Sequence, residues 1–148
     1  MRKALNHAIN REELWQYGAK GNAYNLGGHI PPGARGHNPT LTLYRYDTNK
    51  ARSLLAEAGY PDGFEMKFIT PEAQKLEAQV MKRMYERIGL KVELQVFTQR
   101  EWGLKVWTPS EEKAQKEDWD ISVCYNKRAN QDKCGRAESI INAYRKRR

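Results

Sequence analysis

The chain has 148 residues, 39% hydrophobic and 30% charged, with a formal net charge of +8. That length suits one domain or part of one, with a buried core, and no apolar run approaches the roughly 20 residues of a membrane helix. The first residues follow a helical pattern rather than that of an export signal, so any such signal is expected either never to have been present or to lie outside this chain.

Ala4, Leu5, Ala8 and Ile9 fall on one side of a short first helix. Asn10 and Glu13 have the spacing of a capping box for a second, in which Leu14 and Trp15 supply the apolar contacts and Gly18 is the stop. His7 lies near the apolar face and reads as a packed or half-exposed side chain. From Gly18 to Leu43 there are six glycines and three prolines in 26 residues, the composition of a connecting loop. These glycines match neither GxxxxGK[ST] nor GxGxxG, so no phosphate loop is predicted.

The organising stretch runs from Tyr46 to Phe97. Asp47 is an N-cap candidate, and Ala51, Leu54, Leu55 and Ala58 share one helix face. Gly59 ends that helix and Tyr60-Pro61-Asp62-Gly63 forms a turn. Phe64, Met66 and Phe68 then alternate with Glu65 and Lys67, as in a strand. Thr70 and Pro71 are read as the cap and first residue of a helix with the stripe Leu76, Val80, Met84 and Ile88, flanked by Met81 and Tyr85. Gly89 closes it, and Leu90, Val92, Leu94 and Val96 alternate as a second strand. Strand, helix, strand predicts a βαβ unit with parallel strands.

Beyond it, residues 99–107 read as a short helix carrying Trp102, Leu104, Val106 and Trp107, and residues 119–125 as a third strand. Ile140, Ile141 and Tyr144 suggest a helical turn or two near the end. Residues 127–148 hold eight Lys/Arg and two acids and so carry +6 of the net +8. The chain therefore divides into residues 1–126, nearly balanced in charge, and a basic tail at 127–148.

No catalytic constellation emerges. Ser53, Ser110, Ser122 and Ser139 lack a nucleophile-elbow context, and the adjacent pairs Glu12-Glu13 and Glu111-Glu112 point about 100° apart on a helix. Cys124 and Cys134 form no CxxC and lie far from His7, His29 and His37, so neither metal nor cofactor is expected. An enzyme is not predicted. Trp102, Trp107, Trp119 and Tyr125 gather around the ends of the second and third strands, where open α/β sheets bind ligands. Trp119 reads as a core residue; for Trp102, core and ligand site stand as alternatives.

Five blocks in order carry a family resemblance: MRKALNHAINREEL, IPPGARGHNP, YRYDTNKARSLLAEAGYPDGFEMKF, IGLKVELQV and DWDISV. Together they resemble the extracellular solute-binding proteins of family 5, the peptide/nickel receptors of ABC importers, over roughly residues 1–125. The resemblance implies an α/β chain forming a partial second lobe of a type II periplasmic-binding-protein fold: a βαβ unit with a short, mostly parallel sheet and flanking helices. It implies reversible capture of peptides or other small polar solutes at the periplasmic or extracellular face. The partner would be an ABC permease, and membrane association would come only through that permease or a lipid anchor outside this chain. Carried over by position, the ligand contacts are Glu101, Trp102, Cys124, Tyr125 and Asn126. Where many members continue the last strand into Gly-Trp and an acidic Asp-Tyr segment, this chain reads Cys124-Tyr125-Asn126-Lys127-Arg128. A lone lobe is expected to offer half a site and to bind weakly or not at all. The alternative from composition alone is a small basic nucleic-acid-binding domain using the tail, although no nucleic-acid partner is expected.

Overall fold

In the computed structural model, residues 1–18, 35, 37–40, 43–106, 119–125 and 140–144 are described, with 124, 125 and 140–144 described by their backbone alone. The elements are α1 (Arg2–Ala8), α2 (Arg11–Glu13) running into a π-helical turn (Leu14–Gly18), α3 (Thr48–Glu57), β1 (Glu65–Pro71), a 3-10 turn (Glu72–Gln74), α4 (Lys75–Glu86), β2 (Lys91–Phe97), α5 (Gln99–Val106), β3 (Ile121–Tyr125) and β4 (Ile140–Tyr144).

The strands form one sheet in the order β2-β1-β3-β4. β1 is parallel to β2 along its whole length, from Glu65 opposite Lys91 to Pro71 opposite Phe97. β3 is parallel to β1 and enters at Phe68 opposite Ile121, whereas β4 runs antiparallel to β3. The predicted βαβ unit is therefore present. The sequence-based helix near Ile140 is not: Ile140–Tyr144 pair with β3 as a strand. An edge that would otherwise leave β3's backbone donors unpaired favours a strand there over an isolated helical turn.

The helices start and stop much as their residues dictate. The Asp47 carboxylate accepts from Lys50 N–H at 2.8 Å, capping α3, and Asn10 Oδ1 accepts from the Glu12 and Glu13 N–H groups at 3.1 and 3.2 Å. Glu13 does not close the capping box; its carboxylate pairs with both terminal nitrogens of Arg87 at 2.6 and 2.8 Å, joining α2 to the end of α4. At the end of α3, Gly59 N–H reaches Ala56 O and Tyr60 N–H reaches Leu55 O, each at 2.9 Å, the paired bonds of a Schellman motif.

Three expectations shift by local register. Thr70 and Pro71 end β1 instead of starting α4; Thr70 is buried and its hydroxyl donates to Pro71 O at 3.3 Å. Burial of Ile69, Thr70 and Pro71 in succession holds the chain extended past the proline. α4 then begins at Lys75, which turns Leu76 outward at 40% exposure while Ala78, Val80, Met81, Met84, Tyr85 and Ile88 face inward. Trp15 is likewise exposed, because the π turn sets Leu14 and Gly18 against the protein and leaves the residues between them outside. Val96 is exposed on β2, an edge strand of the described sheet.

Alternation along the strands splits the interior into two. Met66 and Phe68 of β1, Val92 of β2 and Ile121 and Val123 of β3 join α1, α3 and α4 in the larger core. Ile69 points to the other face, where it packs with Trp102 of α5 and the partly buried Phe97, Val106 and Trp119. This second cluster lies toward the carboxyl ends of β1 and β2, and it positions the candidate site.

Candidate functional site

The carboxyl ends of the parallel strands bring together Pro71, Phe97 and the residues of β3 beyond Ser122. α5 closes this edge. Its first turn is fixed by a capping box: Glu101 N–H donates to Thr98 Oγ1 at 3.3 Å, while Glu101 Oε2 accepts from the Thr98 hydroxyl at 2.7 Å and the Thr98 N–H at 3.0 Å. The hydroxyl bond first, and then the backbone bond, hold the Glu101 carboxyl below its ordinary value. Glu101 is exposed and ionised at this edge.

Trp102 is only 2% exposed. Its indole N–H donates to Ser122 Oγ at 2.7 Å, and the Ser122 hydroxyl lies 3.5 Å from Val123 O. In this form of the molecule Trp102 is a packed residue that ties α5 to β3. Trp119 is partly buried against the same cluster, and its indole nitrogen is buried with no hydrogen-bond partner among the described residues. Lys105 lies over the Phe97 ring, 5.1 Å from its centroid.

Asp120 explains the WD pair that opens β3. Its N–H donates to Lys67 O and its carboxylate accepts from Lys67 N–H, both at 2.9 Å, so one residue sets the register at which β3 enters beside β1. Cys124 and Tyr125 are the last residues of β3, paired with Ile141 and Ile140. Asn126 and Trp107 lie outside the described residues. The sequence-predicted positions thus fall on two neighbouring elements: Glu101 and Trp102 on α5, Cys124 and Tyr125 at the end of β3. Two residues at this edge went unremarked as site residues in the sequence. Thr98-Gln99-Arg100-Glu101 is a T-x-x-E capping signature, and Ser122 is a small polar residue between the inward Ile121 and Val123 of a short strand.

A shallow groove lined by Glu65, Lys67, Glu86, Lys91 and Glu93 lies at the amino ends of β1 and β2, away from these residues. Its charges partly compensate one another, Lys91 standing 3.7 Å from Glu65. The carboxyl edge, with its aromatic cluster and capped acidic helix, is the better candidate. Among the described residues, no group of three His, Cys, Asp or Glu side chains is placed to hold a metal ion. An aromatic cluster beside a capped carboxylate suits non-covalent capture of a polar molecule.

Residues 1–133 match the bacterial extracellular solute-binding proteins, family 5 (middle). The chain belongs to that family, whose members are periplasmic or extracellular. It is 38% identical over 101 residues to the glutathione-binding protein GsiB of Salmonella choleraesuis, covering 64% of this chain and 19% of that protein. It is 35% identical over 88 residues to heme-binding protein A of Haemophilus influenzae, covering 60% and 16% respectively. Among solved structures it is similar to the periplasmic binding protein DppA of Helicobacter pylori in complex with the peptide STSA, with a TM-score of 0.66 at 32% identity over 70% of this chain and 20% of that one. The dipeptide-binding protein of Pseudoalteromonas sp. SM9913, in complex with Met-Leu, gives 0.64 at 27% identity, covering 68% and 21%. Its structural neighbours are type II periplasmic binding proteins, so the expected fold is borne out. The chain spans less than a fifth of the length of these two curated relatives, and those relatives are solute-binding proteins rather than enzymes.

Proposed function

We propose that this chain forms part of the substrate-binding component of an ABC importer and captures a peptide or a related small polar solute by reversible, non-covalent binding. The observation that carries this reading is the family match over residues 1–133. The peptide complexes of two similar structures give the ligand class its direction. In this reading the solute lies along the carboxyl edge of the sheet, against Glu101 and the residues Cys124, Tyr125 and Asn126. Glu101 meets an ammonium or amide group, and Trp102 shapes the wall from beneath. Closure of an opposing lobe over the solute would present it to a permease at the periplasmic or extracellular face, and contact with the membrane comes through that permease or through an anchor outside residues 1–148.

A single wall buries little of a ligand, so a dissociation constant on the order of 1 mM, about −4 kcal/mol, is expected for a peptide on this chain alone. Nitrogen-15 NMR titration with Met-Leu, Ser-Thr-Ser-Ala and glutathione tests it. Shifts confined to residues 97–106 and 119–126 support the reading. Absence of shifts with all three, or shifts centred on the groove at the amino ends of β1 and β2, overturns it.

A further inference from the structure

The residue on which the candidate edge turns is one that touches no solute in the reading above. Ser122 is fully buried in β3, opposite Ile69 in register, and its hydroxyl takes the indole N–H of Trp102 at 2.7 Å. α5 also meets the sheet through Lys105, which lies over the Phe97 ring at the end of β2. Besides Trp102, the helix contributes only the partly buried Val106 to the second cluster, Leu104 is 61% exposed, and a Cβ at Gly103 would meet nothing within 4 Å. The capping box fixes the helix's first turn but holds it to its own N-terminal residue, Thr98, and not to the sheet. The indole–hydroxyl bond ties α5 directly to β3 and so orients the helix relative to that strand.

We propose that Ser122 is the positioning residue of the candidate site: by holding the Trp102 indole it sets the height and rotation of α5, and so where the Glu101 carboxylate stands along the carboxyl edge. Whether that placement serves a solute rests on the function proposed above; the hold on α5 itself does not. A buried indole N–H deprived of its acceptor loses more than the bond, because the donor's desolvation is then left uncompensated. Removing the hydroxyl therefore frees α5 to roll outward on the Ile69 contact. Threonine at the same position keeps the oxygen and suits a strand.

The test is made on the full chain, comparing Ser122→Ala and Ser122→Thr by the Trp102 indole resonance and by amide hydrogen exchange. Ser122→Ala is expected to move the indole signal and to speed exchange in residues 99–106 about tenfold or more, with α4 and β2 unchanged; Ser122→Thr restores both. An unmoved indole signal, or exchange raised equally throughout α4, β2 and α5, overturns the positioning role whatever the chain binds. Titration with Met-Leu then separates the two claims. Binding weakened several-fold in Ser122→Ala but kept in Ser122→Thr supports the role toward solute, and equal affinity in all three overturns it. A wild-type chain that binds no peptide counts against the proposed function, while the exchange result still decides what Ser122 does to α5.

Discussion

Gly63 and Gly59 both take positive φ, +77° and +86°, yet they carry different loads. A Cβ on Gly59 would meet nothing within 4 Å, while one on Gly63 would overlap the carbonyl oxygen of Gly89. The turn after α3 is pressed onto the turn after α4, and Lys91 N–H donates to Phe64 O at 3.0 Å beside it. Gly59→Ala is therefore expected to cost about 1–2 kcal/mol, the conformational penalty alone, and Gly63→Ala about 2–4 kcal/mol, since backbone must also move. Urea unfolding of both variants measures the difference; equal losses would show that the close approach is relieved at no cost. Asp120 is the other residue whose role the sequence half disclosed. It looked like one letter of a family block, and the structure makes it the clamp on Lys67. Asp120→Ala should lose about 1–2 kcal/mol in the same assay, and Asp120→Asn, which keeps an acceptor, less.

At the scale of elements, the βαβ unit was legible because each junction carries its own chemical signal, from Asp47 through Gly59 and Gly63 to Gly89. The one junction misread, Thr70–Pro71, shows why: the same two residues suit a helix start or a strand end, and only the burial of Ile69, Thr70 and Pro71 decides. The site was less legible. Its positions came from resemblance, and the contact that assembles it, Trp102 to Ser122, joins residues 20 apart whose pairing no periodicity announces. α5 itself yields a pH prediction. Glu101 is held below its ordinary value of 4.5 by Thr98, so the folded state prefers the ionised form. Its contribution is complete above the unfolded value and fades as pH falls through the lower, folded one. Protection of residues 99–106 against exchange, taken relative to the intrinsic rate at each pH, should fall on acidification through that window in the wild type, and this fall should be absent in Glu101→Gln. Thr98→Ala, which removes the cap itself, should destabilise the helix by about 1 kcal/mol at neutral pH.

Across the described residues, one face of the sheet is covered by α1, α3 and α4, the other carries α5 toward its carboxyl end, and β4 forms the edge beyond β3. The helical layer is cross-tied at Arg87, whose guanidinium holds Glu13 and whose carbonyl accepts from Arg52 at 2.6 Å. β4 is attached through the antiparallel register from Ile121–Tyr144 to Tyr125–Ile140. It covers the outer edge of β3, whose Ile121 and Val123 are fully buried in the main core. The terminal segment therefore serves as a sheet partner as well as a source of charge, and the two roles can be pulled apart. Deleting residues 140–148 removes β4 together with four terminal bases, whereas changing Arg145, Lys146, Arg147 and Arg148 to Gln removes the charge alone. The deletion should lower the urea midpoint and make the chain associate as concentration rises, because an uncovered β3 edge is a template for another strand. The charge variant should keep the wild-type midpoint and stay dispersed at moderate salt. If the deletion unfolds like the wild type and sediments as a monomer, β4 contributes nothing to the sheet, and the register with β3 is not what protects that edge.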